Sequence, residues 1–536
     1  MKTLRAGMLA LCRCRVSRRL QLLQRDERGT IAALFAIIFS GMLLMTAIAI
    51  DFARTYAEVA RVQNAVDAAA LAASHRLGLP DQDTSGPQKA AAFFQANIAK
   101  HPSSGVLDSI KLDSVKGEVA AKAKGDLLAS LLRAFGINEI SFKANSTVRR
   151  GKGTIEVALV LDNSGSMAGS YIADLRTAAQ NLVNVVYTGF EGTDKVKVGV
   201  VPFAAAVNVG PANINAAWMD TQGLAPTHFE NFDQSTTRFE LLKQMGVGWG
   251  GCVEVRPAPH DVTDSTPSEK TPASLFVPMF NPDEPDSANS AGNSYGNSYL
   301  PDYGGSCPAP TPTCLKTNWK GSCTQWSQPP VLDPATAQAR VCKYKDATVS
   351  GQGPNYMCDS APILALTKDK SAVISLIQSM QAKGGTNILE GLMWGWRVLS
   401  PEPPFTEGRP YDDPDNDKFL IVMTDGENWH QAKSNHNKSS YHSFGFASNK
   451  RLGQTYTTSA LVAQMNTKTL AACQNAKAAG LKVFTVAFRL DAGSTRDMLA
   501  SCATSATQAY VASDGQALIQ AFESIGREIA RLRVAG

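Results

Sequence analysis

The sequence predicts an α/β fold, a parallel sheet flanked by helices, interrupted by a long disulfide-rich insertion and carried on one N-terminal membrane-spanning helix. Three observations predict it. Apolar runs of strand length, Ile155–Leu161, Val196–Phe203, Phe419–Met423 and Val483–Phe488, alternate with helix-like stretches such as Ile172–Tyr187, and such alternation implies a parallel sheet covered on both faces. Two of these runs end in an aspartate, Asp162 and Asp425. Near the start, Thr30 to Ile50 carries no charge and, at about twenty residues, is long enough to cross a membrane once.

In chain order, residues 1–28 form a basic leader, with Lys2, Arg5, Arg13, Arg15, Arg18, Arg19, Arg25 and Arg28 against only Asp26 and Glu27. Residues 29–51 are the span. The positive-inside rule holds the leader in the cytoplasm and sends everything after Asp51 across the membrane. The apolar stretch is too long for an ordinary signal-peptide core, although Ala47-Ile48-Ala49 offers the small residues that a cleaved signal would use. Residues 52–80 read as a helical stalk, because Val59, Val62, Ala65, Val66, Ala69, Leu71 and Ala72 recur at helical spacing. Residues 81–153 read as a small α+β module, a spacer, docking element or packing platform. It has a helical run Gln88–Ala99 and alternating segments Val115–Ala123 and Ile137–Val148. The α/β domain occupies residues 154–536, closing on a helix over Leu518–Leu532, with an insertion at about 207–359. Within that insertion Asn281–Asp286 and Asn289–Gly305 are rich in Pro, Gly, Asn and Ser, which predicts loops that bury little apolar area.

Ten cysteines divide by compartment. Cys12 and Cys14 precede the span, whereas Cys252, Cys307, Cys314, Cys323, Cys342, Cys358, Cys473 and Cys502 follow it and are even in number, as an oxidising exterior favours. Paired Cys-x-x-Cys units are missing among them, which argues against zinc. Cys473 is expected to pair with Cys502, leaving six cysteines to staple the insertion with a connectivity that spacing does not decide. A net charge of +5 over 536 residues, much of it in the leader, gives nucleic-acid binding no support.

The chemistry lies at the strand ends. Asp162-Asn163-Ser164-Gly165-Ser166 sets one carboxylate and two hydroxyls in a single turn at the C-terminal edge of the sheet, where ligands of open α/β sheets collect. Lys383-Gly384-Gly385-Thr386-Asn387 is a glycine turn that brings a third hydroxyl, and Asp425 a second carboxylate. Asp162, Ser164, Ser166, Thr386 and Asp425 are all hard oxygen donors, a shell that suits Mg2+ or Mn2+ better than zinc. So few protein ligands leave a position open for a partner's carboxylate. A phosphoaspartate site would want a carboxylate where Ser164 stands. Neither a Gly-x-Ser-x-Gly elbow nor a Walker glycine loop occurs at these positions, so the expectation is binding and not catalysis. The loop after Asp425, with Trp429, His430, His436, Tyr441, His442 and Phe444, reads as a solvated polar loop, or as aromatics that meet a partner on the binding face.

At these residues the sequence resembles the von Willebrand factor A family and its metal-ion-dependent adhesion site. The Asp-x-Ser-x-Ser pattern falls on Asp162, Ser164 and Ser166, the distant threonine on Thr386 and the last aspartate on Asp425. The resemblance implies a Rossmann-like sheet, direct contact of the ion with the serines and threonine, and one or both aspartates acting through water. A second resemblance, to the N-terminal region of TadE/TadG-like proteins of Flp (tight adherence) pilus systems, rests on Arg25-Asp26-Glu27-Arg28-Gly29, the span, Asp51-Phe52-Ala53-Arg54 and Gln63–Ala73. Trp249-Gly250-Gly251-Cys252-Val253 is also similar to a segment of such chains. Pilin-type cleavage wants a glutamate five residues after the cleavage glycine. Counted from Gly29 that place holds Leu34, so a retained anchor is expected. Together the resemblances imply a single-pass protein of the bacterial inner membrane, its bulk extracytoplasmic. It would assemble or anchor an adhesive pilus by metal-assisted contact with a protein partner that presents an acidic side chain. A surface adhesin for host or matrix ligands, or a purely structural envelope protein, are the alternatives.

Overall fold

The computed structural model describes residues 30–74, 76, 82–99, 105–113, 118–149, 153–286, 295–308, 310–327 and 332–534. The basic leader 1–28 and Gly29 lie outside these residues. The chain divides into two compact units, one up to Arg150 and one from Gly151.

The first unit is built on α1 (Thr30–Ser74), followed by α2 (Gln82–Ile98) and an antiparallel sheet of β1 (Val106–Asp113), β2 (Glu118–Leu128) and β3 (Glu139–Arg149), in that order. Strand β1 was not expected from the sequence, since its residues are only half-buried and alternate poorly. The first half of α1 exposes Leu34, Phe35, Ile37, Ile38, Met42 and Leu43. Among the described residues α1 is the one helix long and apolar enough to cross a membrane. Its second half does not stand clear as a bare stalk. Val62, Ala65, Val66, Ala69, Ala70 and Ala73 recur on one face and bury Ala90 and Phe94 of α2, Val119, Ala121 and Ala123 of β2, and Phe142 and Ala144 of β3. The small alanines let helix and sheet approach closely, while Lys122, Lys124 and Asp126 take the outward positions of β2 with the period of two that a strand imposes.

Asp51 ties the helix to the turn between β2 and β3. Its carboxylate, 1% exposed, accepts from the backbone N–H of Ser130 at 3.0 Å, Leu131 at 2.9 Å and Leu132 at 2.8 Å. Replacing Asp51 by alanine strands those three donors. Their amide hydrogens should then exchange roughly tenfold faster or more, with the β2–β3 ladder less affected, in hydrogen-exchange mass spectrometry of the reconstituted chain.

The second unit opens with β4 (Thr154–Asp162), α3 (Ser170–Tyr187), β5 (Val196–Phe203) and α4 (Arg238–Gln244). A separate hairpin follows, β6 (Cys314–Thr317) with β7 (Cys323–Trp326), then α5 (Pro334–Ala339), β8 (Leu364–Thr367), α6 (Lys370–Ser379) and α7 (Ile388–Leu399). The chain ends with β9 (Asn416–Thr424), α8 (Thr458–Ala478), β10 (Lys482–Phe488), α9 (Ser494–Cys502), β11 (Ala509–Ala512) and α10 (Gly515–Val534). The main sheet runs β11-β10-β9-β4-β5-β8. It is parallel except that β8 joins β5 antiparallel at the edge. Strands β4 and β9 are buried at every residue, as a parallel sheet covered on both faces requires. Ile155, Val157, Leu159 and Leu161 pack on one face against Leu175 and Leu182 of α3 and Leu518, Phe522 and Ile525 of α10. Ala158, Val160, Leu420 and Val422 pack on the other against Leu392 and Trp394 of α7 and Met465 of α8. Helix α7 comes so near the sheet that a Cβ on Gly395 would lie 2.3 Å from Val160.

The described parts of the Pro/Gly/Asn-rich stretches are loops, as their composition predicts, but the insertion buries far more than such loops would. Trp218, Phe276, Phe280, Tyr299, Leu300 and Tyr344 join the core beneath α7. Asn281, Asp283 and Glu284 are buried too; of the two Pro/Gly/Asn-rich stretches, residues 289–294 lie outside the described ones. Asp283 accepts from the amides of Tyr299 at 2.5 Å and Leu300 at 2.8 Å and pairs with Lys343 at 2.8 Å. The expected Cys473–Cys502 disulfide forms, and Cys252–Cys358, Cys307–Cys342 and Cys314–Cys323 staple the insertion. The Trp249–Val253 segment acquires a role here. Its Cys252 closes the insertion on Cys358, Trp249 Nε1 donates to the Cys252 carbonyl at 2.9 Å, and the amide of Gly250 donates to Asn355 Oδ1 at 2.8 Å.

Candidate metal-binding site

Strands β4 and β9 lie side by side in parallel register, Leu161 opposite Met423, so Asp162 and Asp425 emerge together at one end of the sheet. Asp162 is fully buried. Its Oδ1 accepts from the amide of Ser164 at 2.7 Å, and its Oδ2 from the hydroxyl of Thr424 at 2.6 Å. The turn returns at Gly165 and brings Ser164 Oγ within 3.0 Å of Ser166 Oγ. Ser166 in turn donates to Asp425 Oδ1 at 2.7 Å.

The third segment is sewn to the first by backbone. Gly165 N–H donates to the Gly384 carbonyl at 2.9 Å and Lys383 N–H to the Asn163 carbonyl at 2.8 Å. Thr386 is held from behind, where its carbonyl accepts from Trp429 N–H at 2.8 Å. Asn387 caps α7, accepting from Glu390 N–H. A methyl placed on Gly426 would stand 3.5 Å from Thr386 Oγ1 and 3.6 Å from Ser166 Oγ, so those two oxygens border the same small space. The structure thus brings Asp162, Ser164, Ser166, Thr386 and Asp425 to one sheet end. Thr424 was not foreseen. Its only signal in the sequence is a hydroxyl closing an otherwise apolar strand beside an aspartate.

The electrostatics of this cluster are unbalanced. Among the described residues neither Asp162 nor Asp425 forms an ion pair. Burial, together with the charge of Asp425, pushes Asp162 up to about 7, and burial raises Asp425 as well, against the lowering effect of the Ser166 hydrogen bond. Two carboxylates and three hydroxyls without a neighbouring cation form a hard, oxygen-only set that fits a Mg2+-like ion. From these oxygens a cavity of about 880 Å³ opens, lined among others by Tyr356, Asp359, Lys383 and Trp429. Lys383 Nζ pairs with Asp359 at 2.7 Å.

The loop after Asp425 is neither solvated nor a broad aromatic surface. His430, Tyr441, His442 and Phe444 are buried. The rings of His430 and His442 stack at 4.8 Å, with burial holding His430 down to about 4. His436 is engaged elsewhere, its Nδ1 lying 2.8 Å from Tyr295 Oη. Of the aromatic set Trp429 and Tyr441 line the cavity, and Trp429 lies over Gly385 so closely that a Cβ there would meet its ring at 2.5 Å.

Among solved structures, the chain is similar to the pilus adhesin SpaC from Lactobacillus rhamnosus GG, with 12% identity and a TM-score of 0.32 over 80% of this chain and 35% of SpaC, so it spans about a third of that protein. It is similar to the vWF domain of the type V pili tip protein Mfa5 from Porphyromonas gingivalis, with 10% identity and a TM-score of 0.32 over 71% of this chain and 96% of that one. A third is proximal thread matrix protein 1 from the mussel byssus, solved with a zinc-occupied MIDAS motif, with 12% identity and a TM-score of 0.28 over 72% and 48% of the two chains. No curated protein matches the sequence. Residues 29–78 match the family model "Putative Flp pilus-assembly TadE/G-like". The N-terminal part of the chain, α1 and the residues just beyond it, is therefore the part that matches a TadE/G-like Flp pilus-assembly family.

Proposed function

We propose that the protein is a membrane-anchored, extracytoplasmic component of a Flp-type pilus system that binds another protein through a divalent ion. Asp162, Ser164, Ser166, Thr386 and Asp425 would hold Mg2+ or Mn2+. The observation that carries this reading is the pair of carboxylates, one of them fully buried, gathered with three hydroxyls and forming no ion pair among the described residues. A bound ion supplies an electrophilic point on which a carboxylate oxygen of the partner can close. The chain's own groups set the ring of oxygens, keep Asp162 from water through Ser164 N–H and Thr424, and leave the cavity side open to an incoming side chain.

Three further observations support the setting. Residues 29–78 match a pilus-assembly family, α1 is long and apolar enough to anchor the chain, and the four disulfides suit an oxidising compartment. By the positive-inside rule, the basic leader would keep the N-terminus in the cytoplasm and the bulk outside the inner membrane.

The test is replacement of the chromosomal copy by a Ser164→Ala, Ser166→Ala variant made at normal level. Loss of surface pili is the expected result. Normal piliation with lost adherence would instead indicate a direct adhesin, and neither effect would indicate a structural protein whose site never exchanges ligand.

A further inference from the structure

The turn between β2 and β3 lies against α1 well inside its apolar half. Ala47 is 3% exposed and shares a small cluster with Ala129 and Leu132, against which Leu44 and Ile140 pack. By helical rise, Ala47 and Leu44 sit about 6 and 10 Å below Asp51, within the uncharged stretch. Whatever surrounds that part of the helix surrounds the turn as well. The outward side of the turn suits an apolar medium: Leu128 is 64% exposed, Leu131 43%, Phe135 48% and Ile137 48%. A water-facing turn favours Gly, Asn, Asp and Ser, whereas this one reads Leu-Leu-Ala-Ser-Leu-Leu-Arg-Ala-Phe-Gly-Ile over residues 127–137.

The backbone of the turn is also prepared for a medium without hydrogen bonds. Asp51 takes the amides of Ser130, Leu131 and Leu132. The Ala129 amide donates to Asn138, that of Gly136 to Arg133 and that of Ile137 to Leu132. Non-helical backbone at membrane depth is tolerated only when protein satisfies it in this way. Phe52 and Tyr56, both exposed on α1, stand just above, where aromatic side chains line membrane interfaces.

We propose that the β2–β3 turn is embedded in the bilayer leaflet on the side of the folded chain, its Leu128, Leu131, Phe135 and Ile137 covered by lipid acyl chains. The exposed Arg133 extends its guanidinium up to the lipid phosphates, as long basic side chains do. Asp126 and Glu139, at the mouth of the turn, mark where water resumes. The first unit is thus held by two contacts with the membrane, the span and the turn. This inference rests on α1 crossing the membrane.

The test uses the full chain with Cys12 and Cys14 replaced by serine, in phosphatidylcholine–phosphatidylglycerol vesicles. One cysteine at a time is introduced, Phe135→Cys, Thr147→Cys or Ile37→Cys, and labelled with a polarity-sensitive fluorophore. Thr147 is exposed at the far end of β3, about 27 Å from the turn. Lipids carrying a nitroxide high on the acyl chain should quench the label at 135 several-fold more than the label at 147, and should quench the label at 37. Quenching at 37 with equal responses at 135 and 147 would overturn the embedded turn and leave the span standing. A blue-shifted but unquenched label at 135 would overturn it too, since protein and not lipid would then cover the turn. An unquenched label at 37 would remove both the span and the turn.

Discussion

Asp162→Asn should abolish saturable binding of Mg2+ and Mn2+ and, in the absence of metal, make the protein more stable at pH 8. The two effects have one cause. Asparagine keeps the shape of the site, since its oxygen can still accept from Ser164 N–H and its amide can donate to Thr424. What it removes is a buried charge facing Asp425. The folded-state value of Asp162 is about 7 against an ordinary 3.8, so between these limits the folded protein holds a proton that the unfolded chain releases. The stabilisation linked to that proton is fully present below about pH 4 and is lost as pH rises through about 7. For Asp162 alone this amounts to a few kcal/mol at most. The wild type without metal should therefore lose stability between pH 5 and 8 more steeply than the variant, as measured by chemical denaturation at each pH. A divalent ion opposes the same charge and should restore the wild type above pH 7 with no effect on the variant. Metal affinity should fall as pH drops through 7, because proton and ion compete for the carboxylates. Equal metal binding by wild type and Asp162→Asn in calorimetry would sink the metal-site reading.

Arg238→Met should destabilise the second unit by about 3–5 kcal/mol. Arg238 is 1% exposed. It pairs with Glu254 at 2.5 Å, and it donates to the carbonyls of His228 at 2.8 Å, Thr227 at 3.0 Å and Pro278 at 3.0 Å. Glu254 also takes Arg451 at 2.7 Å and the Tyr441 hydroxyl. Residues of the insertion and of the segment after Asp425 are thus joined in one buried polar network. Removing the guanidinium takes a donor from three buried carbonyls and leaves Glu254 with only Arg451 and Tyr441, in a dry interior where a lost partner is costly. The denaturation midpoint reports the loss, and a Glu254→Gln partner variant should make the double change smaller than the sum of the singles. A loss under about 1 kcal/mol would mean that water or neighbouring groups replace Arg238 without penalty.

The site was legible in the sequence because each of its parts follows from a local rule. A continuous apolar run that ends in aspartate marks a buried strand and its open end, and β4 and β9 end that way as neighbours. The glycines of residues 383–387 mark a turn. The insertion was not legible because its core residues follow no period. Phe276, Phe280, Tyr299 and Tyr344 are scattered among prolines, glycines and acids, and they are buried by cross-links and by hydrogen bonds such as those of Asp283, neither of which leaves a periodic trace. Composition therefore pointed to loops. The histidines after Asp425 misled for a similar reason: polar side chains there are buried by stacking and neutralisation and not by an apolar pattern. The antiparallel edge strand β8 is four residues long, too short to show a direction.

Helix α1 runs without interruption from Thr30 to Ser74, so the segment proposed to meet lipid and the segment that fills the core of the first unit are one continuous helix. No swivel lies between them. With α1 in the bilayer, as proposed, tension applied to the three-stranded sheet would be delivered along the helix axis into the membrane. To let go mechanically, the unit must either peel its alanine-faced sheet from the helix or draw the helix out of the membrane.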